Sequence, residues 1–197
     1  MLSPVKDNAP HKKTKKKPRK YEYTFDVVTH LKELIGTDLT TIPGIDASSA
    51  LKLISEIGTD INKWPTVKHF CAWLGLCPGT RISGGRRLSG HTSHSTNRAA
   101  KILRMSASGL YRNESVFGAH LRRMKARMGS VEATTATAHK MARTLYFMMV
   151  NKTDFQDLGG DYYEKQNRAK TLKYLNKKAQ SLGYVLKEDK NLRAEFQ

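Results

Sequence analysis

The stretch LGLCPGTRISGGRRLSGHTSHSTNRAAKILR, Leu74 to Arg104, begins at the end of an apolar run, Phe70 to Leu74. It opens into a loop of Gly, Ser, Thr and Arg, and closes into a basic helix at about Ser95. Its centre is Ser83-Gly84-Gly85-Arg86-Arg87. Two glycines after a serine let the backbone turn without a Cβ penalty and let a polymer backbone approach closely. Two arginines then supply rigid donor forks suited to phosphate oxygens. Two readings stand side by side: a hydroxyl nucleophile beside a phosphate clamp, or a solvated Gly/Ser loop whose arginines touch DNA or RNA.

Working outward, 197 residues with 39% hydrophobic content suffice for one core, with or without tails. The charge is the strongest signal: 35 Lys+Arg against 17 Asp+Glu, formally +18. That favours a polyanionic partner. It is concentrated in two places, residues 1–20 with eight Lys/Arg and one acid, and residues 81–127 with eleven Lys/Arg and one acid, Glu114. No apolar run approaches the roughly 18 residues that span a bilayer, and no signal-peptide pattern opens the chain, so no membrane partner is expected. Cys71 and Cys77, the only cysteines, read as buried or half-buried thiols in a reducing compartment, with neither zinc nor a disulfide framework. His91 and His94 sit in the polar loop without a nearby carboxylate and read as hydrogen-bonding side chains, not metal ligands.

The remainder reads as helices. Residues 1–20 hold little to bury and many like charges, which predicts a disordered basic arm; its composition resembles a nuclear localisation signal and equally suits a linker or a nucleic-acid grip, the two readings preferred. Tyr21–Gly36 carries Phe25, Val28, Leu31 and Leu34/Ile35 at helical spacing, with Gly36 as the stop. Leu39-Thr-Thr-Ile-Pro-Gly-Ile45 and then Asp46 to Gly58 resemble a helix-hairpin-helix unit, with Asp46 as N-cap and Ala50, Leu51, Ile54 and Ile57 inward. In such a unit Gly44 offers backbone N–H groups to phosphate; an ordinary corner between helices is the other reading. Thr66 caps a short helix with Phe70, Cys71 and Leu74 inward and Trp64 and Trp73 as core anchors. Ser95 or Thr96 caps Asn97–Tyr111, which gathers Ala99, Ala100, Leu103, Ala107 and Leu110 on one side and Arg98, Lys101, Arg104 and Arg112 on the other. Val116–Met128 is basic and ended by Gly129. Ser130 caps a helix to about Asn151 with Ala138, Met141, Ala142, Leu145 and Met149 as core. Gly159-Gly160 breaks the chain before an exposed helix, Asp161–Leu182. The expected fold is mainly α, a compact helical domain with a helix-hairpin-helix-like unit and a Gly/Ser-rich loop, preceded by the arm, and with no strand pair. Its divisions are 1–20 as arm, 21–36 as linking helix, 37–151 as the helical domain and 152–197 as a helical extension.

Three ordered blocks go beyond composition: Leu39-Thr-Thr-Ile-Pro-Gly-Ile45 with Ser55-Glu-Ile-Gly58; Trp73-Leu-Gly-Leu-Cys-Pro78; and Ser83-Gly-Gly85 with Asn97-Arg-Ala-Ala100 and Leu103-Arg104. Together they resemble the C-terminal transposase domain of the insertion-sequence-110 family, relatives of the Piv DNA invertase. Ala136 to Arg143 and Asp161-Tyr-Tyr-Glu164 look like the tail of one branch of that family. The resemblance implies site-specific DNA recombination guided by a structured RNA, in the cytoplasm of a prokaryote at its nucleoid. It gives Ser83 the role of nucleophile, through a phosphoserine intermediate. Gly44, Gly84, Gly85, Arg86, Arg87, Arg98, Lys101 and Arg104 are then the nucleic-acid-binding residues. Where family members often carry lysine after the glycines, this chain has Arg86. The family's Mg2+ belongs to an N-terminal RNase-H-like domain that nothing upstream of Tyr21 matches. No metal site or cofactor is therefore expected in this chain, and the partners expected are DNA, a guide RNA, and either a second copy or that domain in trans. A non-catalytic nucleic-acid-binding remnant is the alternative. A tyrosine recombinase using Tyr162 or Tyr163 is disfavoured, because no Arg/His/Arg set accompanies either.

Overall fold

Asp26 starts the first helix by accepting hydrogen bonds from the amides of Val28 and Thr29 at 3.1 and 3.3 Å. The helix, α1, runs Val27–Ile35 and ends where Gly36 turns left-handed at φ 76°. These are features of a computed structural model that describes Tyr23, residues 25–77, Gly79, and residues 81–89 and 96–187. The expected arm, together with His91, Ser93, His94 and Ser95, lies outside the described residues. The inward face of α1 is Val27, Leu31 and Ile35. Phe25 precedes the helix and is exposed, Val28 is half-buried, and of the Leu34/Ile35 pair it is Ile35 that turns inward while Leu34 is exposed.

The Leu39–Thr41 segment is a single 3-10 turn, so the Pro43–Gly44 corner is preceded by that turn and not by a full helix. Helix α2, Ala47–Ile57, is capped by Asp46 onto the Ser49 amide at 2.8 Å. It buries Leu53 with Ala50, Ile54 and Ile57, leaving Leu51 only half-buried. A 3-10 turn at Ile61–Lys63 leads to α3, Val67–Trp73, capped by Thr66. Two short strands follow, β1 (Arg81–Ser83) and β2 (Arg86–Ser89), paired antiparallel where a strandless loop was expected. Helices α4 (Arg98–Ser108), α5 (Val116–Met128), α6 (Ser130–Asn151) and α7 (Gly159–Ser181) complete the described chain. The fold is mainly helical.

Helix α6 is the spine, and α3, α4 and α5 all pack on it. Ala138, Met141, Ala142, Leu145 and Met149 are fully buried along its length, as the sequence predicted. Its start differs from expectation: Ser130 makes no capping bond, and the helix is entered through Gly129 at φ 94°. Helix α4 meets it with Ala99, Ala100, Leu103 and Ala107, all at 0% exposure. Trp64, Phe70 and Tyr146 form an aromatic cluster where α3 meets α6, and the Tyr146 hydroxyl donates to the Trp64 carbonyl at 3.0 Å. Trp73, expected as a core anchor, is 40% exposed and lies at the edge of the core against Trp64 and Phe70, at 4.8 and 6.1 Å between ring centroids. Gly159 and Gly160 do not break the chain but begin α7. The Gly160 amide donates to the Glu114 carbonyl at 2.7 Å, an approach that a Cβ would crowd at 3.0 Å.

A polar clasp fixes α1 to the segment leaving α6. The Asp154 carboxylate accepts from the Asp38 amide at 2.7 Å and from Lys32 Nζ at 2.8 Å, while Lys152 Nζ donates to the Ile35 carbonyl at the end of α1. The buried Thr37 hydroxyl shares its hydrogen between the Thr153 carbonyl and Asp154 Oδ1. The Lys32 and Asp38 bonds hold the Asp154 carboxyl at about 2, well below its ordinary value. A carboxyl depressed on folding stabilises the fold above its unfolded value and loses that contribution as pH falls through its folded one. The stability gap between the wild-type chain and Asp154→Asn is therefore expected to be full near neutrality and to close between pH ~4 and pH ~2. Thermal unfolding of both chains across that range checks this; a gap that stays constant with pH contradicts it.

Candidate nucleic-acid interface

The sequence Arg-Ile-Ser-Gly-Gly-Arg-Arg-Leu-Ser folds as a hairpin because its two central residues accept positive φ. Gly84 and Gly85 sit at φ 55° and 74°, as a two-residue primed turn requires at both positions. A side chain at either glycine would meet no atom of the described residues within 4 Å, so none of them fills the space beside the turn. The register pairs Ser83 with Arg86, Ile82 with Arg87 and Arg81 with Ser89, with a bulge between Arg81 and Ile82. Cross-strand partners share one face of a ribbon, so the Ser83 hydroxyl and the Arg86 guanidinium emerge side by side. Ser83, Gly84, Gly85 and Arg86 are all exposed. Arg87 occupies the neighbouring register position, opposite Ile82. Among the described residues the two strands pack chiefly on each other.

Its two roots are held. On the α3 side, Leu74 and Leu76 are buried. On the α4 side, Asn97 caps the helix by accepting from the Ala100 amide at 3.2 Å, where Ser95 or Thr96 was expected to do so. Two long hydrogen bonds of 3.4 Å join the roots, from Asn97 Nδ2 to the Trp73 carbonyl and from Arg104 Nη2 to the Gly75 carbonyl. Arg104, half-buried, is thereby a brace of the hairpin's base. Arg98 is exposed and lies 3.4 Å from Glu56 of α2, a solvent-screened pair that leaves its charge partly answered. Lys101 is exposed on the same helix.

Gly44 belongs to a different place. At φ 87° it sits against the far end of α4, where a Cβ would come within 3.0 Å of the Ser106 carbonyl and 3.1 Å of Leu110 Cδ2. Nine residues at 1.5 Å each separate Asn97 from Ser106, so the corner and the hairpin base lie about 14 Å apart along the helix axis. The fold brings Ser83, Gly84, Gly85 and Arg86 together, sets Arg98, Lys101 and Arg104 along the adjoining helix, and leaves Gly44 at that helix's other end.

The basic helix α5 is divided in its roles. Arg122 donates to the carbonyls of Tyr111 and Asn113 at 3.1 and 2.8 Å and holds the turn before α5, whereas Arg123, Lys125 and Arg127 are exposed. Cys71 and Cys77 are free thiols, and burial together with Cys77 pushes the Cys71 thiol up to about 11, away from nucleophile or ligand chemistry. Among the described residues no group of three His, Cys, Asp or Glu is placed to hold a metal ion. No helix among them is long and apolar enough to cross a membrane.

One feature escaped the sequence. A cavity of about 980 Å³ opens between α5, α6 and α7, lined among others by His120, His139, Lys140, Arg143, Tyr163 and Asn167. These residues come from three helices, and no spacing along the chain announces their meeting. Only the basic run His139-Lys140 with Arg143, on a helix otherwise devoted to the core, hints at it.

No curated protein and no solved structure matches the chain. Residues 36–120 match the model of the Transposase IS116/IS110/IS902 family, which is consistent with the C-terminal domain of an insertion-sequence-110 transposase and supports a transposase-type function acting on DNA.

Proposed function

We propose that this chain is the DNA-binding, nucleophile-bearing part of a transposase, and that the hairpin carrying Ser83 is its reacting element. The observation that carries the reading is the cross-strand pairing of Ser83 with Arg86 at the tip of an exposed ribbon. In the reaction, Ser83 Oγ forms a bond to a DNA phosphorus, one phosphodiester P–O bond breaks, and the departing sugar oxygen takes up a proton. The serine proton goes to an acceptor outside the described residues, since a hydroxyl is a weak nucleophile unaided. Arg86 neutralises charge that builds on the phosphate oxygens, its backbone set opposite Ser83 by the short turn. Gly84 and Gly85 leave the ribbon tip without side chains, so that the DNA backbone can reach the hydroxyl.

Binding is spread more widely. Lys101, Arg123, Lys125 and Arg127 offer exposed cations on α4 and α5, suited to phosphates of DNA and of a guide RNA. Recombination guided by such an RNA, with either a second copy or an RNase-H-like domain completing the site, is the fuller form of the proposal. A nucleic-acid-binding remnant without chemistry is the competing reading.

Two measurements test it. With the RNase-H-like domain and RNA supplied, Ser83→Ala is expected to abolish strand transfer while leaving nucleic-acid affinity within about two-fold, because a surface hydroxyl supplies little of a salt-dependent affinity. Ser89→Ala, on the same ribbon, is expected to lower activity modestly; equal loss from both contradicts a nucleophilic role. Arg86→Ala is expected to flatten the log–log salt dependence of duplex binding by about 0.9, one phosphate contact. An unchanged slope means that the hairpin does not touch phosphate.

A further inference from the structure

The cavity between α5, α6 and α7 combines three properties rarely found together. It has flat aromatic walls: the Tyr163 ring lies edge-on to His120, with centroids 5.8 Å apart. It is cationic: Lys140, Arg143 and Lys170 line it, and Glu132 supplies the one carboxylate of the described lining. It also holds a buried polar atom left over by folding, the side-chain amide nitrogen of Asn167, which has no hydrogen-bond partner among the described residues. Buried donors are almost always paired, and because Asn167 borders the cavity, a small turn of its side chain brings this unpaired donor to an acceptor on a ligand.

The state of His120 follows from its neighbour. The Thr137 hydroxyl donates its only hydrogen to the Ala133 carbonyl at 2.9 Å, so at 3.0 Å it must accept from His120 Nδ1. Burial, with Lys140, Arg123 and His139 nearby, holds His120 at about 4, hence neutral near pH 7, with Nε2 left as an acceptor. Lys140 is stacked over Tyr163, its Nζ 4.1 Å from the ring centroid. Burial and Lys170 press its ammonium down to about 8, against a weaker opposite pull from Asp157. An anion between Lys140 and Lys170 relieves that repulsion.

We propose that this cavity takes one unstacked nucleotide of a single-stranded segment, its base against Tyr163 and His120 and its phosphate on Lys140, Arg143 and Lys170. The donor on Asn167 and the acceptor on His120 suit the mixed hydrogen-bonding edge of a base, which an aliphatic anion lacks. The cavity volume also falls in the range of sites for small organic ligands. The inference leans on the transposase reading only for the polymer to which the nucleotide belongs. The site shares no residue with the hairpin, so the two can fail separately.

The test uses the full chain with single-stranded DNA and RNA oligonucleotides carrying one 5-iodouracil, and Asn167→Leu as the variant. Because the Asn167 nitrogen is unpaired, the leucine chain is expected to melt no lower than wild type, while single-strand affinity falls about five-fold or more, in line with losing the hold on one stacked base. Photocrosslinks are expected at Tyr163 or His120, and the preferred oligonucleotide tells which polymer supplies the nucleotide. Duplex binding is expected to be unchanged, separating this site from the hairpin. Crosslinks confined to the hairpin, α4 or the outer face of α5, with equal single-strand affinity in the variant, overturn the proposal. So does displacement of the oligonucleotide by decanoate but not by a mononucleotide.

Discussion

Small side chains set the seating of α4 on α6. Ala99, Ala100 and Ala107 on one helix and Ala133, Ala138 and Ala142 on the other are all without exposure, so the two backbones pack closely, with Leu103, Met141 and Leu145 filling the remaining core. Helix α3 rests on the same spine through Phe70 and Tyr146. Cutting Leu103 back to alanine would cost about 2–5 kcal/mol, as buried Leu→Ala changes do, and would loosen this seating first. The other helices depend on it: α5 packs on α6, and α7, which buries no side chain completely, packs chiefly on α5 and meets α6 where Lys140 lies over Tyr163.

That seating gives the hairpin its meaning. A two-stranded hairpin of this length would be a marginal structure in isolation. Here its strands spring from α3 and α4, both fixed on α6, and the bonds from Asn97 and Arg104 draw the two roots together. The result is a short ribbon on a packed base, and on the proposed reading it is this ribbon that offers Ser83 and Arg86 to nucleic acid. Arg104 shows the division of labour: it is one of the basic residues of α4, but its guanidinium is spent on the Gly75 carbonyl and serves the fold.

Much of the helical body was legible because its signals are local. The α4 stripe of Ala99, Ala100, Leu103, Ala107 and Leu110 and the α6 stripe of Ala138, Met141, Ala142, Leu145 and Met149 are buried as periodicity predicts. Asp46, Thr66 and Gly36 act at helix ends as their chemistry dictates. The hairpin was missed although Gly-Gly between two short runs signals a primed turn; strands of three and four residues are too short for alternation to stand out. Gly44 sits against Ser106 and Leu110, more than sixty residues away in sequence, and only the fold discloses that close approach. The same holds for the cavity, whose lining comes from three helices, and for Trp73, whose exposure depends on how α3 is rolled.

The claim at the centre is that Ser83 Oγ becomes bonded to DNA phosphorus. Its most direct measurement is mass spectrometry of the protein after reaction with a nicked DNA substrate whose cleaved strand cannot religate, with the RNase-H-like domain and RNA present. The account predicts one nucleotide-bearing peptide, the modification localised to Ser83. An adduct on Tyr162, Tyr163 or another serine, or cleavage that proceeds with no protein–DNA bond at all, would contradict it.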